Sequence, residues 1–303
     1  MRKVLICIVG LANGAAFEPV EFHTMRGSIY NILTDFYVNV ETSLEFTRLV
    51  PAPNRFLFHT GVTHSWVEKG GFVIASSVRR FQPKPDRLEP QVDVNIDGKL
   101  AIQTPLTVRH QHRTTFRRAA GLIAASPMSV FAQTHGPFTI RRATQGGPFQ
   151  LSLEPLHSHD PWIHVPMINP DNWDIPVQFE IEGLEPRQLV GRLDTGFRGL
   201  IIPPSLYTQL TGIIEERGHR VLHDDAAGGF GMHECQRELL PSIRIGLTPD
   251  VIVSLPCVRP GVDEFCVADI VPGDDEGLIH LGELFLDKFA TNFDRAANLI
   301  SFL

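Results

Sequence analysis

The chain has 303 residues, 43% of them hydrophobic and 20% charged, with 23 prolines, 25 glycines and a formal net charge of −7. This is globular rather than disordered composition, long enough for one large domain or two smaller lobes around sizeable cores. The mild acidity and the scatter of the short basic clusters Arg79-Arg80, Arg117-Arg118 and Arg141-Arg142 exclude a nucleic-acid footprint, and past the N-terminus no apolar run approaches a membrane span.

In chain order, residues 1–16, MRKVLICIVGLANGAA, combine a basic start, an apolar run from Val4 and small residues at Gly14 and Ala16. That is the pattern of a secretory signal cut after Ala16, although VLICIV also suits a buried first strand. A secreted mature chain then begins at Phe17, and loss of Arg2 and Lys3 takes the net charge from −7 to −9. From there the sequence reads as short β-runs punctuated by Gly, Pro, Asn and Asp. DFYVNVE alternates, as do QVDVNI and LAIQTPLTV, which the Asp97-Gly98 turn joins into a hairpin. FQLSLEP, PVQFEIEG, SIRIGL and NLISFL follow the same pattern. One helix is expected from Ser205, its N-cap after Pro203-Pro204, with Leu206, Leu210 and Ile213 or Ile214 on one face. A shorter helix is expected around Gly282 to Phe289. The fold class is all-β with a few short helices.

Two segments echo one another. FLFHTGVTHSWV (56–67) and VGRLDTGFRGLIIPP (190–204) each run an apolar strand into X-Thr-Gly and then into another apolar strand, with X being His59 in the first and Asp194 in the second. Their separation, 194 − 59 = 135 residues, suggests two β-lobes of similar plan rather than a short-period solenoid. The Pro-, Asp- and Asn-rich stretch between His157 and Pro176 marks the boundary, giving lobes at 17–160 and 161–303.

Cys7 leaves with the signal, so Cys235, Cys257 and Cys266 remain: one disulfide and a spare thiol in an oxidising compartment, or three reduced cysteines in a core. No CxxC is present. The pairs His110 with His112 and His157 with His159 lack a second ligand pair at a recognised spacing, so neither metal nor cofactor is expected. No Asn-X-Ser/Thr acceptor occurs.

Taken in order, these motifs resemble the pepsin-like aspartic proteases, two-lobed β-proteins that place one Asp-Thr-Gly from each lobe at the floor of a shared cleft. The resemblance covers nearly all of the mature chain. LDTGFRGLIIPPSLY resembles the C-lobe catalytic turn and following helix. LPSIRIGL resembles a later strand reached after a cysteine, here Cys235. IHLGELFLDKFATNFDRAANLISFL resembles the final hydrophobic-Gly segment, short helix and closing hairpin. In the N-lobe DFYVNV precedes the first turn, Trp66 follows His59 by seven residues as the family tryptophan follows its aspartate, and AGLIAASPMSVF resembles the segment packed over that turn. The resemblance implies a monomer acting on a peptide or protein in the cleft, and a disulfide between Cys235 and Cys266 that leaves Cys257 free.

Paired motifs are needed because two carboxylates a few ångströms apart cannot both ionise. One activates a water as general base, and the protonated one polarises the scissile carbonyl. Thr60, Gly61, Thr195 and Gly196 are present, so both tight turns are expected. Five features depart from the family. His59 replaces an aspartate, Val62 and Phe197 replace post-glycine hydroxyls, and Ala124 stands for the N-lobe glycine. No tyrosine lies between Tyr37 and Tyr207, hence none in the flap, placed at Asn95 to Lys99 around Asp97 and Gly98. The stretch 17–34 leaves little room for a prosegment.

Two readings follow. In one, Asp194 is the base on the water and protonated His59, its pKa raised by the carboxylate, stabilises the oxyanion. The histo-aspartic branch of the plasmepsins is a family precedent for such a pair. In the other, the site has decayed and the cleft holds an extended peptide by β-augmentation; the accumulated departures point this way. A retroviral-type dimer using Asp194 alone is disfavoured by the echo at His59.

Overall fold

A computed structural model describes residues 19–21, 36–42, 44–46, 55–68, 72–74, 91–96, 98–105, 107–109, 121–144, 147–153, 161–223, 230–233, 240–256, 259–260 and 265–303. Residues 1–16, Asp97, Cys235 and Cys257 fall outside this set, as do the side chains of Trp66 and Cys266, so the signal segment and the disulfide pairing lie outside the described residues. Twenty-six strands and three helices make up the described elements, a mostly β protein. Among these residues no helix is long and apolar enough to cross a membrane.

The strands form where the sequence alternates. In Asp174–Ile181, Ile175, Val177, Phe179 and Ile181 enter the core while Pro176 and Gln178 face outward, the two-residue period of a half-buried strand. The Gln91–Ile96 and Leu100–Pro105 strands pair as the hairpin expected around Gly98, which takes φ +69 in the turn. The Pro204 helix differs from expectation at its start. Pro203 is the N-cap and Pro204 the first helical residue, where a missing N–H costs nothing. Ser205 instead lies inside the first turn, its N–H donating to Glu276, a carboxylate that also suits a helix N-terminus. The helix at Glu283–Leu286 is a single turn, because the Lys288 and Phe289 amides bond three residues back and tighten it into a close.

Two seven-stranded sheets share one plan. In the first, Arg55–His59 lies between Tyr37–Thr42, antiparallel, and Gly121–Ala124, parallel; beyond them come the 91–105 hairpin on one side and Trp66–Glu68 and Thr107–Arg109 on the other. In the second, Arg187–Leu193 lies between Asp174–Ile181, antiparallel, and Leu278–Leu281, parallel. The Ile243–Leu255 hairpin flanks one side, and Leu200–Ile202 with Ile270–Pro272 the other. A six-stranded sheet joins the two parts of the chain, with Phe138–Arg142 paired to Thr291–Asp294 at its middle and Phe149–Ser152 and Leu299–Phe302 outside them.

That central pairing is packed with aromatic rings. Phe138 stacks on Phe293 at 4.8 Å, and Trp173 meets both edge-on. Trp173 is 1% exposed and its indole N–H donates to the Ala125 carbonyl at 2.8 Å, so a ring from the second part closes over backbone of the first. The X-Thr-Gly turns sit at the ends of the two central strands.

Candidate functional site

The two turns are tied to each other by their threonines. The Thr60 amide donates to Thr195 Oγ1 and the Thr195 amide to Thr60 Oγ1, both at 3.0 Å. Each hydroxyl donates onward to the strand of the opposite turn, Thr60 to the Leu193 carbonyl at 2.9 Å and Thr195 to the Phe58 carbonyl at 2.6 Å. All four groups are buried and all four are satisfied, which fixes the separation of the residues just before them.

Those residues are His59 and Asp194, and they meet. His59 Nδ1 is 3.1 Å from Asp194 Oδ1. The backbones serve them alike: the Gly61 amide donates to His59 Nδ1 at 3.1 Å, and the Gly196 amide donates to Asp194 Oδ1 at 2.8 Å. Both glycines are needed for that approach. A Cβ on Gly196 would lie 2.1 Å from His59 Nε2, and one on Gly61 2.8 Å from Asp194 Oδ2.

Asp194 has a second partner that the motif does not supply. His280, on the strand Leu278–Leu281, places Nδ1 3.0 Å from Asp194 Oδ2. Parallel pairing sets Arg192 opposite His280 and Leu193 opposite Leu281, and alternation turns Ile279 and Leu281 into the core, leaving His280 on the face of the carboxylate. Phe197, which follows the glycine of this turn, has no hydroxyl, and His280 is the side-chain partner of this oxygen. Its signal in the sequence was a lone histidine in the apolar run LIHL, two residues before Gly282. Beside it, Arg192 grips buried Asp174 through two hydrogen bonds, Nε to Oδ1 at 2.8 Å and the guanidinium NH2 to Oδ2 at 2.9 Å.

Burial and hydrogen bonding pull the two central groups in set directions. For Asp194, burial pushes the pKa up, but His59 beside it, the hydrogen bond from His280 and the Gly196 amide together bring it down to about 2. For His59, burial pushes the pKa down and outweighs the pull of Asp194, with His280 adding to the fall. The expected rise of the His59 pKa is thereby corrected, since desolvation of the imidazolium exceeds its attraction to the carboxylate. Nδ1 lies 3.1 Å from both the Gly61 amide and Asp194 Oδ1, so it accepts from the first only when unprotonated and donates to the second only when protonated. A neutral ring that serves Gly61 carries its proton on Nε2.

Of the remaining sequence candidates, Asp97 and Cys235 lie outside the described residues. Gly98 is exposed, and neighbouring Lys99 reaches the Pro19 carbonyl at 3.0 Å, so the described contacts of this turn run toward the strand at Val20. Trp66 begins the strand that pairs with Leu122, and Cys266 lies opposite Met232 in a four-stranded sheet. Ala124 occupies the position of Gly282: a Cβ at Gly282 would strike the Phe197 carbonyl at 2.3 Å, whereas the Ala124 amide finds Ser65 Oγ at 3.0 Å and its methyl is buried. Among the described residues no three His, Cys, Asp or Glu side chains are placed to hold a metal ion. No protein-family model matches the sequence, and no curated protein does.

Proposed function

We propose that this chain is a two-lobed, pepsin-like hydrolase of peptide bonds, secreted and monomeric, in which a histidine–aspartate centre stands in place of the paired carboxylates. The observation that carries the reading is the buried Asp194 carboxylate held between His59 and His280, at 3.1 and 3.0 Å. Two imidazoles and a carboxylate brought together across the chain out of water cost stability, and such clusters of perturbed groups concentrate at functional sites. The reciprocal threonine bonds and the matched seven-stranded sheets support the pepsin-like arrangement on which the reading depends.

In this reading an extended peptide lies across the Gly61 and Gly196 turns. His59, neutral and protonated on Nε2, polarises the scissile carbonyl, and ionised Asp194 supplies the negative charge that stabilises a proton received nearby. The activating group is therefore not a carboxylate pair sharing one proton, and activity is expected at neutral rather than strongly acid pH.

One observation favours a second reading, peptide binding without hydrolysis. Asp194, held at about 2 with hydrogen-bonding partners on both oxygens, is a weak base for water near neutrality. A mixed peptide library incubated with the purified chain from acidic to neutral pH separates the two. Hydrolysis predicts cleavage that falls about 10⁴-fold in Asp194→Asn, the order seen when an aspartate supporting a catalytic histidine is neutralised. Retention of a non-cleavable peptide by a chain that cuts nothing at any pH would establish the binding reading.

A further inference from the structure

We propose that His280 is the general base of this site, its Nε2 taking the proton of the attacking water while Asp194 holds its Nδ1–H. The inference rests on the hydrolytic reading above. Three groups at the centre could accept a proton, and two are already committed. His59 Nδ1 takes the Gly61 amide, and in the reading above its Nε2 already carries the proton. Asp194 takes the Gly196 amide on Oδ1 and His280 on Oδ2. His280 alone has one nitrogen anchored and its other on the far edge of the ring, and its side chain keeps 23% exposure against 11% for His59 and 9% for Asp194.

A buried carboxylate bound to Nδ1 sets the tautomer, leaves Nε2 without a proton and stabilises the imidazolium once it forms; Asp194 is then a positioning residue. The charged groups around the ring are few. Asp194 and His59 face it from the turns. Arg192 lies opposite on the paired strand but is drawn to Asp174, with Asp275 acting on it from the loop before the His280 strand. On the other side the pairing partner is Ile201, which carries no charge.

The step balances without a further reactant. Nε2 takes one proton from water, the hydroxide oxygen bonds to the carbonyl carbon, and the carbonyl electron pair moves onto its oxygen near His59. On collapse the C–N bond breaks, its electron pair goes to nitrogen, and nitrogen takes the proton back from Nε2. The products are a carboxyl and an amine.

The test compares wild type with His280→Gln, whose amide keeps a donor to Asp194 but titrates nowhere in the working range. On a fluorogenic peptide taken from the wild-type cleavage set, kcat is expected to fall about 10²–10⁴-fold with KM nearly unchanged, and the acid limb of the pH profile to disappear. A parallel NMR titration of the wild-type imidazoles should show His280, not His59, titrating with the acid limb. That comparison also decides the matter if His280→Gln does not fold. Activity within about threefold of wild type, or a limb that follows His59, overturns the assignment while leaving hydrolysis intact. A folded wild-type chain that binds a non-cleavable peptide and cuts none overturns both.

Discussion

Around Asp194 the neighbouring strand positions are polar, and around His59 their counterparts are apolar. Arg192 and His280 are paired across one parallel ladder where Leu57 and Leu122 are paired across the other. Both leucines are fully buried, while Arg192 and His280 remain partly exposed. The difference follows from what each turn presents. A buried carboxylate that stays ionised needs donors on both oxygens, which the Gly196 amide and His280 provide. A buried imidazole can stay neutral, needs one donor at Nδ1, and tolerates hydrocarbon on its remaining flank. The two turns therefore differ not only at His59 and Asp194 but also two residues earlier on the same strand and at its partner on the parallel neighbour.

The sharpest way to break the comparison is at the bonds that hold the halves level. Thr60→Val and Thr195→Val each delete a hydroxyl that donates to one buried carbonyl and accepts one buried amide. Leaving two such groups unpaired is expected to cost about 3 kcal/mol in either variant. The double variant should cost less than the sum, because the four bonds form one network. Urea denaturation measures all three. A Thr60→Val loss much smaller than that of Thr195→Val would mean the two turns are not held alike.

Much of this was legible from residue order alone. The strands at 37–42, 91–105, 174–181 and 243–248 follow from alternation, and both turns from their Thr-Gly letters. What was not legible depended on pairing across sequence distance. His280 reaches Asp194 only because Leu278–Leu281 runs parallel to Arg187–Leu193, a register that local pattern does not encode. Glu276 replaces the expected Ser205 cap for the same reason, arriving from 71 residues away. The direction of the His59 pKa was misread because charge pairing is visible in a motif and depth of burial is not.

The two glycines give a finer comparison. Neither Gly61 nor Gly196 is among the positive-φ residues, so an alanine at either place is opposed by contact rather than by backbone angle. At Gly196 the new methyl would meet three atoms of the His59 ring at 2.1 to 2.5 Å, and a ring held by its own amide bond cannot slide aside. At Gly61 the nearest atoms are those of the Asp194 carboxylate at 2.8 to 3.0 Å. Gly196→Ala is expected to cost about 2–3 kcal/mol and Gly61→Ala about 1 kcal/mol, both read from denaturation midpoints. Equal losses would show that the imidazole is as free to move as the carboxylate.

The dependence of stability on pH is spread over a wide range, and it separates the two groups directly. Asp194 is held at about 2 against an ordinary 3.8, so the unfolded chain binds its proton first as the solution is acidified. The stability it contributes, roughly 2 kcal/mol, is complete above pH 3.8 and lost as the pH falls toward 2. His59 is also depressed in the fold, so its share is complete above the ordinary 6.5 and lost as the pH falls through the folded value. Wild-type stability should therefore decline in two stages on acidification. His59→Gln should remove the upper stage and, because His59 is the strongest influence lowering Asp194, also shrink the lower one. Asp194→Asn should remove the lower stage, both variants being read as urea midpoints measured across the range. If His59→Gln instead loses stability that wild type retains between neutrality and mild acid, the imidazole is protonated in the fold. The centre would then be an ion pair, with its donor on the His59 side rather than the His280 side.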